Sequence, residues 1–404
     1  HLGRPLPLPR LHQPLHLPPP LLRLLPRLTR RPQTAAKSGF KMSTRKPAGH
    51  QKQPMFHHIS RENNMMVVRY YLSFCVLLAH LSVLTGLDYP WIQRGTVDVG
   101  CFFSISGFLM FPSFQKHPTL GYYLSRRARR ILPPYIFIVI FSALGLAFVS
   151  TLPLYEYFSD AGFWKYLIAN LSFMNFLHPD LPGVFSGEAF HTSAVNGSLW
   201  TMKGEWVCYL SVPLVFHLIK NMKKSYGGLI LIFIAVAAIT TRAILLSFAD
   251  TTGNELYNII ARQFGTLLVF FYIGAIINYH FDLFKKYHWY VLILDIVIII
   301  FSRHIPFYDY VLQPIVAGSL VIWFSMIGSW GKWLSSHDSI SYDIYLFHFP
   351  IIQLVILLGI PAILHPAATL AIVLLATTVL AYSSWNLIGK KFSRPKTRPS
   401  RQAI

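Results

Sequence analysis

Residues 65–84 form an apolar run long enough to cross a bilayer, and that run carries an arginine and a histidine. Lipid offers no hydrogen bonds to a bare backbone, so such a run must be a helix. Arg69 and His80 lie eleven residues apart. At helical geometry they differ by about 20° around the axis and about 16 Å along it, so both project from one face. A cation and an imidazole inside a span are costly, and the default reading is functional. The structural alternatives are an arginine that snorkels to the interface and a histidine satisfied by packing.

The rest of the chain agrees with a membrane setting. Mean hydropathy is +0.45, with 53% hydrophobic and 13% charged residues, which describes a polytopic membrane protein. The net charge of +21 raises the question of nucleic acid, but its distribution answers it. Residues 1–61 hold twelve Lys or Arg and no acid, and residues 390–404 hold six more, so the tails carry 18 of the 21 charges. A nearly neutral body excludes a nucleic-acid footprint. Basic tails beside a bilayer read as cytoplasmic, facing anionic lipid. Cys75, Cys101 and Cys208 sit in apolar runs at no metal-ligand spacing and are expected to be free, buried thiols, with no metal. The basic, proline-rich residues 1–64 are set apart from the fold and expected to be disordered to about residue 60, with Met42 or Met55 as alternative starts.

Apolar runs place spans near 65–84, 97–114, 131–151, 199–219, 226–248, 259–279, 288–303, 310–330, 339–359 and 366–388. The expected fold is an all-α integral membrane bundle of about ten transmembrane helices over residues 65–389, followed by a basic tail from 390 to 404. With the N-terminus inside, the inner loops hold Lys116, Arg126, Arg127, Arg129, Arg130, Lys220, Lys223, Lys224, Lys285, Lys286 and Lys332, against Arg94, Lys165 and Arg303 outside. That bias places both termini in the cytoplasm of a multi-pass cell-membrane protein. The longest connection, 152–198, includes FWKYLIANLSFMNFL, too short and polar to span.

Four motifs bear on chemistry. In VDVGCFFSISGFLMF, Ser104, Ser106 and Gly107 form a small patch that lets another helix or a ligand come close. SRRARRILPPY reads as a loop of four arginines before a third span that begins at Pro133 and Pro134. Arginine suits phosphate because its planar fork bonds two oxygens at once. The bland reading is a loop that sets topology. NGSLWTMKGEWVCYL puts Glu205 near the outer end of the fourth span, to orient a histidine, bind a polar acceptor or pair with Lys203. SISYDIYLFHFPI contributes His348, read as structural rather than catalytic.

The ordered set Arg69–His80, FFSISGFL, RRARRILPPY, SLWTMKGEW and SYDIYLFHFP resembles the membrane acyltransferase-3 family over roughly residues 65–388. The resemblance implies a multi-span enzyme that moves acetyl or another short acyl group from acyl-CoA to a hydroxyl of a sugar, polysaccharide, glycolipid or macrolide. It implies that His80 is the catalytic histidine, Arg69 its partner on the same helix, and Arg127 and Arg130 the family's paired arginines. Arg127, Arg130 and Ser106 are then the candidate contacts to acetyl-CoA. Two features depart from the family. The stretch after the last span is NLIGKKFSRP, with Gly389 where an acid is common, and no hydrolase-like domain is appended, so the acyl group is expected to pass directly to its carbohydrate or glycolipid acceptor. The rival class is a transporter or flippase using the same buried Arg and His, although no paired broken spans in corresponding halves support it.

Overall fold

Every long apolar run becomes a helix, and no strand occurs among the described residues of this computed structural model, which are 54–60, 62–87, 89, 95–334 and 339–393. The expectations for residues 1–53, for Arg94 and for the tail beyond residue 393 lie outside the described residues. The helices are α1 (Met65–Thr85), α2 (Gly95–Lys116), α3 (Leu120–Gly145), the short α4 (Leu154–Ser159) and α5 (Ala161–Leu171), α6 (Thr201–Ile219) and α7 (Lys224–Thr252). They continue with α8 (Glu255–Ile260), joined by a π-helical turn to α9 (Leu267–Tyr279), then α10 (Phe281–Ile300), α11 (Tyr308–Met326), α12 (Ser341–Leu357), α13 (Ile360–Ile363), α14 (Pro366–Ser384) and α15 (Lys390–Ser393). A helix stands at each of the ten expected positions. Among the described residues, seven helices are long and apolar enough to cross a membrane by length and composition. The protein is an all-α, multi-pass membrane protein.

The centre of the bundle is the crossing of α2 and α9. A Cβ on Gly107 would stand 1.8 Å from the Phe271 carbonyl oxygen, and one on Gly274 would stand 1.9 Å from that of Ser104. The two backbones therefore touch through a reciprocal pair of glycines, the small-residue contact that lets membrane helices pack without a hydrophobic driving force. Ser104 Oγ adds a 2.9 Å hydrogen bond to Phe270 O across the same crossing. Ser104 and Gly107, two of the three small residues singled out in α2, thus serve packing.

α1 and α12 run side by side in the same direction. Ser73 Oγ donates to Ser341 O at 3.1 Å, and seven residues on in both helices His80 Nδ1 lies 2.9 Å from His348 Nε2. Two turns of helix separate these contacts, so they fix one register. Asn64 fastens the start of α1 to the end of α11: its amide donates to the Phe324 and Ile327 carbonyls and accepts from Gly331 N. Gly86, at φ +68°, ends α1 in the left-handed conformation that glycine adopts freely.

Three boundaries differ from those expected. SRRARR is not a loop: α3 begins at Leu120, so Pro133 and Pro134 lie inside it. Each proline removes one backbone hydrogen bond, yet packing carries the helix through, with Tyr135 fully buried and its hydroxyl on Asn170 O. Residues 54–60 are not outside the fold either. Phe56 is fully buried and stacks on Phe111 at 4.7 Å between ring centroids, so one apolar side chain anchors a segment whose composition alone reads as disordered. Finally, α6 does not begin at the outer edge. Thr201 Oγ1 lies 3.1 Å from the Tyr345 hydroxyl, and the Asn196 amide donates to Leu346 O. The register above sets both contacts level with the middle of α1. The connection from 172 to 200 therefore dips into the bundle before α6 starts. The expectation that FWKYLIANLSFMNFL does not span agrees with the eleven-residue α5, about 16 Å long.

Candidate active site

One face of each of four helices, together with Arg69 of α1, encloses a cavity of about 180 Å³. α2 supplies Val99, Phe102, Phe103, Ser106 and Leu109, and α3 supplies Arg127, Arg130 and Ile131. α6 supplies Thr201, Met202, Glu205 and Tyr209, and α12 supplies Ser341, Tyr342 and Tyr345. The spacings of three and four residues within each set are those of a single helical face. They explain why Arg127 and Arg130 enter the cavity while their neighbour Arg129 turns back to Ser125 O. Five of the six candidate residues, Arg69, Ser106, Arg127, Arg130 and Glu205, thus meet in one chamber although they come from four helices.

The chamber is electrostatically unfinished. Three guanidiniums share it with one carboxylate, and Glu205 Oε1 accepts the Tyr209 hydroxyl rather than an arginine. Arg69 Nε and Arg127 Nε are buried without a hydrogen-bond partner. A buried cation with an unmet N–H is costly unless an anion completes it. The donor set suits phosphate, which takes parallel N–H bonds from a guanidinium fork.

His80 lies apart from this chamber. It is not among the lining residues, and Tyr345 stands between: its ring lines the cavity and sits 5.8 Å from the ring of His348, which is 5.0 Å from that of His80. Phe102 meets Tyr345 edge to face at 6.4 Å, at the same end of the chamber. Each histidine presents Nδ1 to the carbonyl four residues back, His80 to Val76 O at 3.1 Å and His348 to Ile344 O at 3.3 Å. A carbonyl only accepts, so each Nδ1 carries the proton. His348 Nε2 is then a bare acceptor, and His80 Nδ1–H is shared between Val76 O and that nitrogen. In that assignment of the ring protons, His80 Nε2 is the nitrogen free to accept one.

His348, read from sequence as structural rather than catalytic, is fully buried and in direct contact with His80. Glu205, offered as the group that orients His80, instead faces the arginines, because α6 starts deep and brings it to their level; His348 touches His80 instead. Lys203 is not its partner, since its Nζ lies over the Phe176 ring at 3.8 Å. Sequence reading missed Tyr209, Tyr342 and Tyr345 altogether. It also passed over a shared pattern, a serine followed seven residues later by a histidine, in SFCVLLAH (73–80) and SYDIYLFH (341–348), the two segments that pair. All three cysteines are buried and unpaired.

The membrane bundle thus holds a cationic chamber beside a histidine pair. Residues 63–385 match the acyltransferase-3 family, described as an acyltransferase domain. The chain belongs to that family and is an acyltransferase. It is 24% identical over 353 residues to an O-acetyl transferase of Shigella phage Sf6, covering 83% of this chain and 98% of the phage protein. No solved structure matches.

Proposed function

We propose that this protein transfers an acyl group, acetyl above all, from acyl-CoA to a hydroxyl of a sugar, a surface polysaccharide or a glycolipid, with His80 as general base. The observation that carries this reading is the chamber of three arginines, two of them with an unmet Nε–H, whose Tyr345 wall packs against the hydrogen-bonded pair of His348 and His80. The phage relative, an O-acetyl transferase, supports acetyl as the group and oxygen as the acceptor atom.

In this reading the donor's diphosphate lies on Arg127 and Arg130, with Arg69 behind them and Ser106 beside the pantetheine arm. The arm runs toward Tyr345 and Phe102, and the thioester reaches His80 once those rings turn aside. The acceptor hydroxyl gives its proton to His80 Nε2 as its oxygen attacks the thioester carbonyl carbon. The resulting imidazolium is steadied by its Nδ1–H bond to His348 Nε2. Collapse of the tetrahedral intermediate breaks the carbon–sulfur bond, and His80 returns the proton to the CoA sulfur. Glu205, held by Tyr209, limits the positive charge of the chamber.

The test is purified protein in lipid with labelled acetyl-CoA, with and without crude cell-envelope glycan. Acceptor-dependent release of free CoA is expected, and donor that stays intact in the presence of every glycan fraction would sink the proposal. We further propose ten spans with both termini cytoplasmic in the cell membrane. Reporter fusions at Lys223 and Thr252 should then fall on opposite sides, and the same side for both would break that topology.

A further inference from the structure

A second cavity, of about 210 Å³, adjoins the first. Its polar lining is His58, Ser113, Lys116 and Arg126, and among the described residues no acid borders it. Leu109 belongs to the walls of both cavities. Arg127, whose guanidinium faces the inner chamber, also reaches Ser113 Oγ of the outer one at 3.4 Å. The two basic chambers therefore share Leu109 as a wall, and Arg127 reaches both.

The wall that carries His58 is the strap of residues 54–60, and it is firmly held. Gln115 brackets the backbone of Phe56, accepting from its N at 3.1 Å and donating to its O at 3.0 Å. Asn278 does the same for His57, at 2.9 Å and 3.2 Å. Four side-chain bonds to two adjacent residues, with Phe56 buried beneath them, make the strap a fixed wall.

Resting on the donor reading above, we infer that the outer chamber is a phosphate subsite for the nucleotide end of acyl-CoA, with Lys116 and Arg126 holding the ribose 3′-phosphate. The donor carries two separate anionic groups, a diphosphate and a 3′-phosphate, joined by a ribose, and then a thin uncharged arm. Two basic chambers side by side at Leu109 match that order, with Arg127, which reaches both, between diphosphate and 3′-phosphate. An anionic lipid head group shares the phosphate chemistry but has no arm to continue past Leu109 to the inner arginines.

The test compares binding of acetyl-CoA with 3′-dephospho-acetyl-CoA in discs of zwitterionic phosphatidylcholine, where no anionic head group competes. The wild-type protein should prefer acetyl-CoA by about tenfold, the scale of one charge-assisted contact. Lys116→Ala/Arg126→Gln should lose that preference while binding the dephospho form as the wild type does, which also reports that the variant is folded. Equal wild-type affinity for the two nucleotides overturns the subsite, as does a preference that survives in the double variant. Added anionic lipid that lowers wild-type acetyl-CoA affinity to the dephospho level would assign the chamber to lipid instead. Failure of the wild type to bind either nucleotide defeats the donor reading itself, so the two failures are distinguishable, and the wild-type comparison requires no variant to fold.

Discussion

In the inner chamber, three guanidiniums face one carboxylate and two Nε–H groups have no protein partner. Further along the same pair of helices, His80 and His348 hydrogen-bond each other and the carbonyls of their own preceding turns. Both regions bury polar groups in a bilayer. The first is left incomplete by the protein, and on the proposed reading the anionic donor completes it. In the second, the Nδ1 of each ring and the Nε2 of His348 find partners within the protein. On the proposed reading, unmet donors give the chamber its affinity for a charged donor, and the histidine contact holds the base in place between turnovers. The chamber is therefore expected to control donor binding and the histidine pair to control the chemical step.

The sharpest division comes from His80→Ala. Loss of a general base costs about 10²–10⁴ in rate, and donor affinity should be unchanged because His80 does not line the chamber. Turnover and equilibrium acetyl-CoA binding on the same preparation check both halves. Near-wild-type turnover would remove His80 from the chemistry.

Next comes His348→Ala. It leaves the His80 ring without its side-chain partner, and a misplaced catalytic group can cost on the order of 10²-fold. The loss should fall on turnover rather than on donor binding. His348→Gln, which restores an acceptor for the His80 Nδ1–H, should recover part of it. If the alanine variant matches the wild type, or glutamine rescues nothing, the pair is packing alone.

Arg127→Ala or Arg130→Ala should show the reverse pattern. Each removes charge-assisted phosphate contacts of about 1.5–3 kcal/mol, so donor affinity should fall about tenfold or more while turnover at saturating donor changes little. Unchanged affinity in both variants would make the arginines a topological feature and erase the contrast between the regions.

The smallest effect separates two serines of one motif. Ser104→Ala deletes the bond to Phe270 O and should lower stability by about 1 kcal/mol with donor affinity intact. Ser106→Ala should instead change donor affinity slightly and leave the unfolding temperature alone. Thermal unfolding in lipid, read beside donor titration, distinguishes them, and an exchange of the two phenotypes would overturn the division of the patch.

The sequence by itself determined that helices stand at the ten apolar runs and that they are membrane helices. Hydropathy and the hydrogen bonds of a helix are local properties, set within a turn or two of chain. The same locality places Arg127 and Arg130 on one face, and it makes the Ser73–His80 and Ser341–His348 spacings visible. It does not reveal that those two segments lie side by side, since their register rests on contacts 268 residues apart in the chain. Nor does it reveal depth. Glu205 follows the start of α6 by four residues, and only the bonds of Thr201 to Tyr345 and of Asn196 to Leu346 bring that start down to the middle of α1. Arg69 and His80 share a helix face, as their spacing requires, yet Tyr345 and Phe102 stand at the end of the chamber between them. The strap at residues 54–60 reads as a tail until Phe56 meets Phe111. These features were decided by tertiary packing, because each depends on which distant side chain fills the space beside a helix.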